Sequence, residues 1–286
     1  FWQHEENSVN VIGLGKPGCS VALEFEKYSQ YRVFYADCED NNYPKFLKII
    51  EQDGHENYEK KYKKLNLSKC KGPTTLILSG AGNISGSVLR LLEQIKENEV
   101  TVLYIKPSPG DLGEQARIRD RVTFGVLQQY ARSGLLRGLY VVDNKMVETV
   151  LDKISIANYW KDINNVISST YHMLSVFENT EPILTNLPPV PTTSRIGTFG
   201  VMNFDNFNQR KFYSLESPRS KRYFFGVNEE TLKEGSDLLT KIRSFAEDNK
   251  EDKVDSGFAI YQTSYDHNYA YCVEYATLIQ EEKLIS

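Results

Sequence analysis

Gly80, Gly82 and Gly86 stand in a polar turn, Ser79-Gly80-Ala81-Gly82-Asn83-Ile84-Ser85-Gly86, that follows an apolar run ending at Leu78. After it, Val88, Leu91, Leu92 and Ile95 fall on one helical face. A strand, a glycine-rich turn and a helix N-terminus together form a cradle for an anion, because unpaired backbone N–H groups and the positive end of the helix dipole point at whatever occupies the turn. The arrangement recurs earlier in the chain. Residues 8–14 read as a buried strand, Gly15-Lys16-Pro17-Gly18-Cys19-Ser20 as a turn, and residues 21–27 as the opening of a helix. Two such turns in one half of a chain point to a phosphate-bearing ligand held between them. Gly82 and Gly86 read equally well as ordinary turn glycines and as a ligand loop.

Other residue types narrow the chemistry. Gly13-x-Gly15-x-x-Gly18 has the spacing of the dinucleotide fingerprint, and Asp37 or Glu39 falls about where the ribose-binding acid stands, so an NAD-binding oxidoreductase is one reading. Cys19 would lie at a helix N-terminus, which lowers a thiol pKa, but no histidine or acidic partner is near in sequence and a structural role is favoured. His4, His55, His172 and His267 lack metal-ligand spacing, and no metal site is predicted. Cys19, Cys38, Cys70 and Cys272 are scattered without a C-x-x-C pair, which argues against a zinc site and a disulfide framework and for a reducing compartment.

The chain has 286 residues, enough for one large or two modest domains. With 34 Lys and Arg against 38 Asp and Glu, the net charge of −4 supplies no basic field for direct nucleic-acid binding. The run Lys60, Lys61, Lys63 and Lys64, flanked by Glu56 and Glu59, reads as a solvated helix face. No apolar run is long enough to span a bilayer, and Phe1-Trp2-Gln3-His4-Glu5 lacks the pattern of a signal peptide, so a cytoplasmic protein without membrane contact is expected.

The elements that must position the glycine turns follow from periodicity. Near-continuous apolar strands at 9–14, 31–36, 74–78, 100–105 and 138–142 alternate with helices at 20–27, 43–52, 87–97 and 113–133, which predicts a parallel sheet covered on both faces. A long helix follows, with Trp160, Ile163, Ile167, Tyr171 and Leu174 on one side. It ends before a connector rich in proline at Pro182, Pro188, Pro189 and Pro191. Strands at 196–203 and 222–227, a helix at 229–249 with Leu232, Leu239, Ile242 and Phe245 inward, and strands at 256–264 and 269–279 make a smaller α+β unit. The predicted division is 1–158, 159–194 and 195–286. The last third is rich in aromatic residues, including Tyr269, Tyr271 and Tyr275, which suits a core face and a partner face.

The order of parts resembles the tubulin and FtsZ superfamily: a Rossmann-like parallel-sheet nucleotide-binding domain, a long central helix and a smaller α+β sheet domain. Val11-Ile12-Gly13-Leu14-Gly15, with Lys16, Gly18 and Cys19 after it, resembles the family's first phosphate loop. Phe34-Tyr35-Ala36-Asp37-Cys38-Glu39 is similar to its second strand and acidic end. The stretch from Gly80 through Gly82, Asn83, Ser85 and Gly86 is similar to its glycine-threonine/serine signature loop. Lys106-Pro107, Glu114, Arg117 and Gly125 resemble residues that approach the ribose in FtsZ. Asn144 resembles the asparagine-containing loop after the fifth strand, and Tyr159, Trp160 and Asn164 the positions that stack on and hydrogen-bond to guanine. The resemblance implies GTP or GDP as ligand, with magnesium as its candidate counter-ion, and head-to-tail self-association into filaments.

Departures from the family pattern bear on the chemistry. Lys16-Pro17 interrupts the usual run of glycines, and Pro17 supplies no N–H, although Lys16 can meet a phosphate. Asn83 and Ile84 stand where threonine and glycine are usual. The family's catalytic acids come from the loop after the central helix and act on the next subunit's nucleotide. Here only Glu178 and Glu181 stand in that region, as substitutes or as solvated surface residues. Asn144 can equally cap a helix, and Trp160 can be a rim aromatic. Two classes of function follow. One is a divergent GTP-binding, filament-forming protein with weak or absent hydrolysis; the other is a pseudo-GTPase interaction module that binds no nucleotide. The short stretch after the last strand fits a minimal, virus- or plasmid-borne relative.

Overall fold

The computed structural model describes residues 8–151, 155–235 and 237–280; the readings made on residues 1–5 and 284–286 lie outside these. Strand β1 (Val9–Leu14) runs directly into α1 (Gly15–Leu23), followed by β2 (Tyr31–Asp37), β3 (Phe46–Lys48), α2 (His55–Lys60) and β4 (Thr74–Leu78). A 3-10 turn at Asn83–Ser87 leads into α3 (Val88–Gln94), then β5 (Val100–Lys106), α4 (Glu114–Ser133), β6 (Gly138–Asp143), α5 (Asn144–Glu148) and the long α6 (Tyr159–Glu178). The remainder is β7 (Leu184–Thr185), β8 (Ile196–Met202), β9 (Gln209–Lys211), β10 (Ser220–Asn228), α7 (Glu229–Glu234), α8 (Leu238–Asp248), β11 (Asp255–Thr263) and β12 (Tyr269–Ala276).

Every residue of β4 and β5 is buried, as expected of parallel strands with helices on both faces. The strands order as β3-β2-β1-β4-β5-β6-β8-β12-β10-β11-β7, with β9 on β8. Pairing is parallel from β3 to β8. Beyond it, β12 runs antiparallel to both β8 and β10. The sheet crosses the expected boundary near residue 194 without a break, but the β6 to β8 seam holds only Leu139 opposite Ile196 and Tyr140 opposite Gly197.

Helices α3 and α4 cover one face of the parallel sheet through Leu91, Leu92, Phe124 and Leu127. Helices α1 and α6 cover the other through Val21, Ala22, Ile163, Ile167, Tyr171, Leu174 and Phe177, with Phe25 from the turn after α1. A third core lies under α8, where Ile242 and Ala246 meet Tyr223, Phe225 and Phe258. The expected inward face of α6 is observed except for Trp160, which is 63% exposed.

Three local expectations need correction. The turn expected through Ser20 is already helix from Gly15, because Pro17 is the third helical residue, where an N–H has no partner to lose. The helix expected at 43–52 is instead β3 with flanking loops: Phe46, Leu47 and Lys48 pair with Tyr35, Ala36 and Asp37, and the Tyr43 ring stacks on Tyr35 at 4.4 Å. The helix expected at 229–249 is two. Asn228 accepts from the backbone N–H of Thr231 to start α7, and the chain breaks at Gly235, where a Cβ would lie 2.5 Å from the Thr231 carbonyl oxygen.

Candidate nucleotide site

The strand order reverses around β1 and β4, and ligands of open α/β sheets bind beyond the carboxyl ends of such strands. Both glycine turns arrive there, since α1 follows β1 and the Asn83–Ser87 turn follows β4. The stretch before α4 and the start of α5 follow β5 and β6 at the same end. The first turn of α6 is tied to α5 by the Tyr159 hydroxyl, which donates to Glu148 Oε2 at 2.9 Å.

At α1, Gly15 has φ of +68°, a left-handed conformation that favours glycine. Leu14 in the N-cap position gives α1 no side-chain cap, so the first-turn N–H groups are left to other partners. Lys16 and Pro17 are exposed. Gly18 is buried against β4, where a Cβ would fall 2.2 Å from the Ile77 carbonyl oxygen, and Gly13 packs as closely on Gly18 and Cys19. Cys19 is fully buried, its thiol donating to the Gly13 carbonyl at 3.4 Å, and burial pushes its pKa well up. Its side chain faces the core, away from the cradle. At the end of β2, burial raises the pKa of Asp37, while its Oδ1 accepts from the Cys38 N–H at 2.7 Å.

The second turn is held from inside. Ser85 Oγ shares its one proton between the carbonyls of Gly80 and Gly82, at 2.8 and 2.7 Å, and Arg119 Nε of α4 donates to the Ala81 carbonyl at 2.7 Å. Gly80 lies against Tyr104 Oη and Asp120, and Gly86 against the His55 carbonyl, so neither position has room for a side chain. Gly82 and Asn83 are exposed at the tip. Beneath the turn, Asp120 accepts from Tyr104 Oη at 2.5 Å and forms a buried ion pair with Lys106. Arg119, Tyr104 and Asp120 were not singled out in the sequence. The available signal was an aspartate at position 120 in register with Phe124 and Leu127 on the buried face of α4.

Glu114 and Arg117 are exposed in the first turn of α4, whose N-cap Gly113 again supplies no side-chain cap. The cap of α5 is Asp143, which accepts from the Lys145 N–H, so Asn144 is not the cap; its Oδ1 is buried without a hydrogen-bond partner among the described residues. Trp160 stands edge-on to Tyr159, ring centroids 5.0 Å apart, and Asn164 is half-buried one turn further on.

Glu178 and Glu181 lie at the other end of α6, which at 20 residues is about 30 Å long. Glu178 meets Arg137 at 3.6 Å at the rim of a groove of about 1040 Å³ formed at the amino ends of the strands. Desolvation raises its pKa, and the charges of Arg137 and Arg222 oppose the rise. Glu181 is exposed. Neither carboxylate reaches the glycine turns of its own chain.

Among the described residues, α1, the Asn83–Ser87 turn and α4 therefore start without side-chain caps at one end of the sheet, as α6 does. With Lys16 and the unpartnered Asn144 Oδ1, the arrangement offers donors for an anion and an acceptor for a ligand hydroxyl or amine. One feature opposes it. The Ile84 Cγ2 methyl lies 2.8 Å from where a Gly15 Cβ would stand, so an apolar group leans over the start of α1.

No protein-family model and no curated protein sequence matches the chain. Solved structures do. An FtsZ dimer from M. jannaschii aligns with a TM-score of 0.68 at 10% identity, over 94% of this chain and 88% of that one. A GTPgS-bound protofilament of CetZ2 from Haloferax volcanii aligns at 0.67 and 14% identity, over 94% and 92%. GDP-form protofilaments of TubZ from Bacillus thuringiensis serovar israelensis give 0.65 and 17%, over 95% and 88%. Across nearly its whole length, the chain has the tubulin/FtsZ fold.

Proposed function

We propose that the chain binds a guanine nucleotide at the carboxyl end of its parallel sheet and joins head to tail with further copies of itself, with GTP hydrolysis weak or absent. The observation that carries this reading is the convergence of the uncapped starts of α1, the Asn83–Ser87 turn and α4 beside the Gly15 and Gly82 turns at one end of the sheet. The structural neighbours include a GTPgS-bound and a GDP-form protofilament, which supports the same class of ligand and assembly.

In this reading, N–H groups of Gly15, Lys16, Gly82 and Asn83 and the Lys16 ammonium hold the phosphates, with magnesium as counter-ion, while Gly18 seats α1 against β4 behind them. Glu114 and Arg117 approach the ribose, Asn144 accepts a ligand hydrogen bond, and Trp160 and Asn164 receive the base. Gly13, Cys19, Gly80, Ser85 and Gly86 shape the turns from behind. Residues 1–158 form the nucleotide-binding part, 159–194 the central helix and connector, and 195–286 the sheet unit that closes on a neighbour, in a cytoplasmic setting.

Thermal unfolding with GTP, GDP and NAD, each with magnesium, tests this, since a ligand that binds only the native state raises the midpoint by mass action. A rise with guanine nucleotides alone is expected. A rise with NAD alone would overturn the reading in favour of the dinucleotide alternative. No rise with any of them would leave a pseudo-GTPase scaffold, the alternative favoured by the Ile84 methyl over Gly15 and by the N–H that Pro17 lacks.

A further inference from the structure

We infer that Ile84 is a built-in plug of the phosphate cradle, which has to leave Gly15 before a nucleoside phosphate can seat there. The inference rests on the nucleotide reading above and adds a residue that sets its affinity. Gly15 is the second glycine of Gly13-x-Gly15-x-x-Gly18, and a glycine at that place lets a pyrophosphate come close to the backbone because no Cβ intervenes. In this chain the vacated space is taken from the opposite turn. Ile84 Cγ2 lies 2.8 Å from the missing Gly15 Cβ, closer than a side chain there would tolerate, and 3.8 Å from the missing Cβ of Gly82 in its own turn, so one methyl group takes the space beside Gly15.

The plug is held, but not rigidly. Ile84 is only partly buried against the core that contains Val88 and Leu91, and its carbonyl accepts from Ser87 Oγ at 2.7 Å. The neighbouring Ser85 is anchored at both Gly80 and Gly82. A shift of Ile84 therefore rotates one side chain at an exposed tip while the base of the turn stays in place. An apolar group this close to Gly15 occupies the space a phosphate would take beside it, so binding there requires displacing the methyl. Residues that set affinity in this way act against every phosphate-bearing ligand equally.

Titration calorimetry with GDP, GTP and inorganic pyrophosphate, on the wild-type protein, Ile84→Ala and Ile84→Val, tests the inference. Valine keeps a branched methyl pair near Gly15 and alanine does not, so Ile84→Ala is expected to bind at least tenfold tighter than the wild type and Ile84→Val about equally. Binding by Ile84→Ala where the wild type binds nothing is the extreme form of the same result. Equal affinity in all three proteins leaves the nucleotide reading standing and overturns the plug. Absence of binding in every protein overturns both. Should Ile84→Ala not fold, the wild type decides the matter by methyl NMR: the nuclear Overhauser contact between the Ile84 γ2 methyl and the Gly15 α-protons must be present without ligand and lost at GDP saturation, and its persistence sinks the plug.

Discussion

Gly18 and Gly82 are indistinguishable as turn glycines in the sequence, yet a methyl group added to each meets different surroundings. At Gly18 it would fall 2.2 Å from the backbone oxygen of Ile77, which cannot move without prising α1 from β4. At Gly82 the nearest atom is 3.8 Å away. Gly18→Ala is expected to lower stability by about 2–3 kcal/mol, within the range of overpacked cores, and Gly82→Ala to leave it within about 0.5 kcal/mol. Urea denaturation of the two variants checks this, and equal losses would contradict the close packing of α1. Residue types and spacing announced the two turns, because glycine between a strand and a helix is a local signal. Which glycine admits a ligand and which admits a helix was not legible, since that depends on Ile77, Asp120 and His55, each far away in the sequence. The orphaned Asn144 Oδ1 was hidden for the same reason: sequence put Asn144 at a helix start, and only the fold shows that Asp143 takes the cap.

At the level of elements, the contact between α1, β2 and α6 carries a titratable group the sequence left without a role. His172 of α6 stacks on Tyr28 with ring centroids 3.7 Å apart and shares a 3.2 Å hydrogen bond with the Tyr31 hydroxyl. Burial, and then the charge of Lys27, lower its pKa from 6.5 to about 4. Between these two values the unfolded chain binds more protons than the folded one, so stability is fully present above pH 6.5 and is lost as pH falls towards 4. The loss reaches at most about 3 kcal/mol. Chemical denaturation at pH 7.5 and pH 5 should show His172→Phe losing less stability on acidification than the wild type; parallel losses would mean the imidazole is already protonated in the fold. Elements were legible where burial is uniform. β1, β2, β4, β5 and β6 emerged from their apolar runs, and α6 from its periodicity. The short β3 was missed because its three residues, Phe46, Leu47 and Lys48, owe their extended form to pairing with β2 rather than to any pattern of their own.

For the molecule as a whole, polarity along the strands decides what one chain can do alone. The uncapped segment starts stand at the carboxyl ends of β1, β4 and β5, while α6 carries Glu178 and Glu181 to the amino ends, about 30 Å away. A carboxylate there can assist attack on a nucleotide only if the nucleotide belongs to the next copy. Both are exposed, but Glu178 lies 3.6 Å from Arg137, whereas Glu181 has no ion-pair partner among the described residues and is the one left to face a neighbour. Under the proposed head-to-tail assembly, GTP turnover per molecule should therefore rise with protein concentration. Glu181→Gln should abolish that rise while leaving the affinity of dilute protein for GDP unchanged. Phosphate release measured across a hundredfold range of concentration decides the matter. Turnover per molecule that is constant over the range would place the catalytic group within one chain and remove Glu181 from the reaction, and turnover absent throughout, with GDP still bound, would mark a protein that binds nucleotide without consuming it.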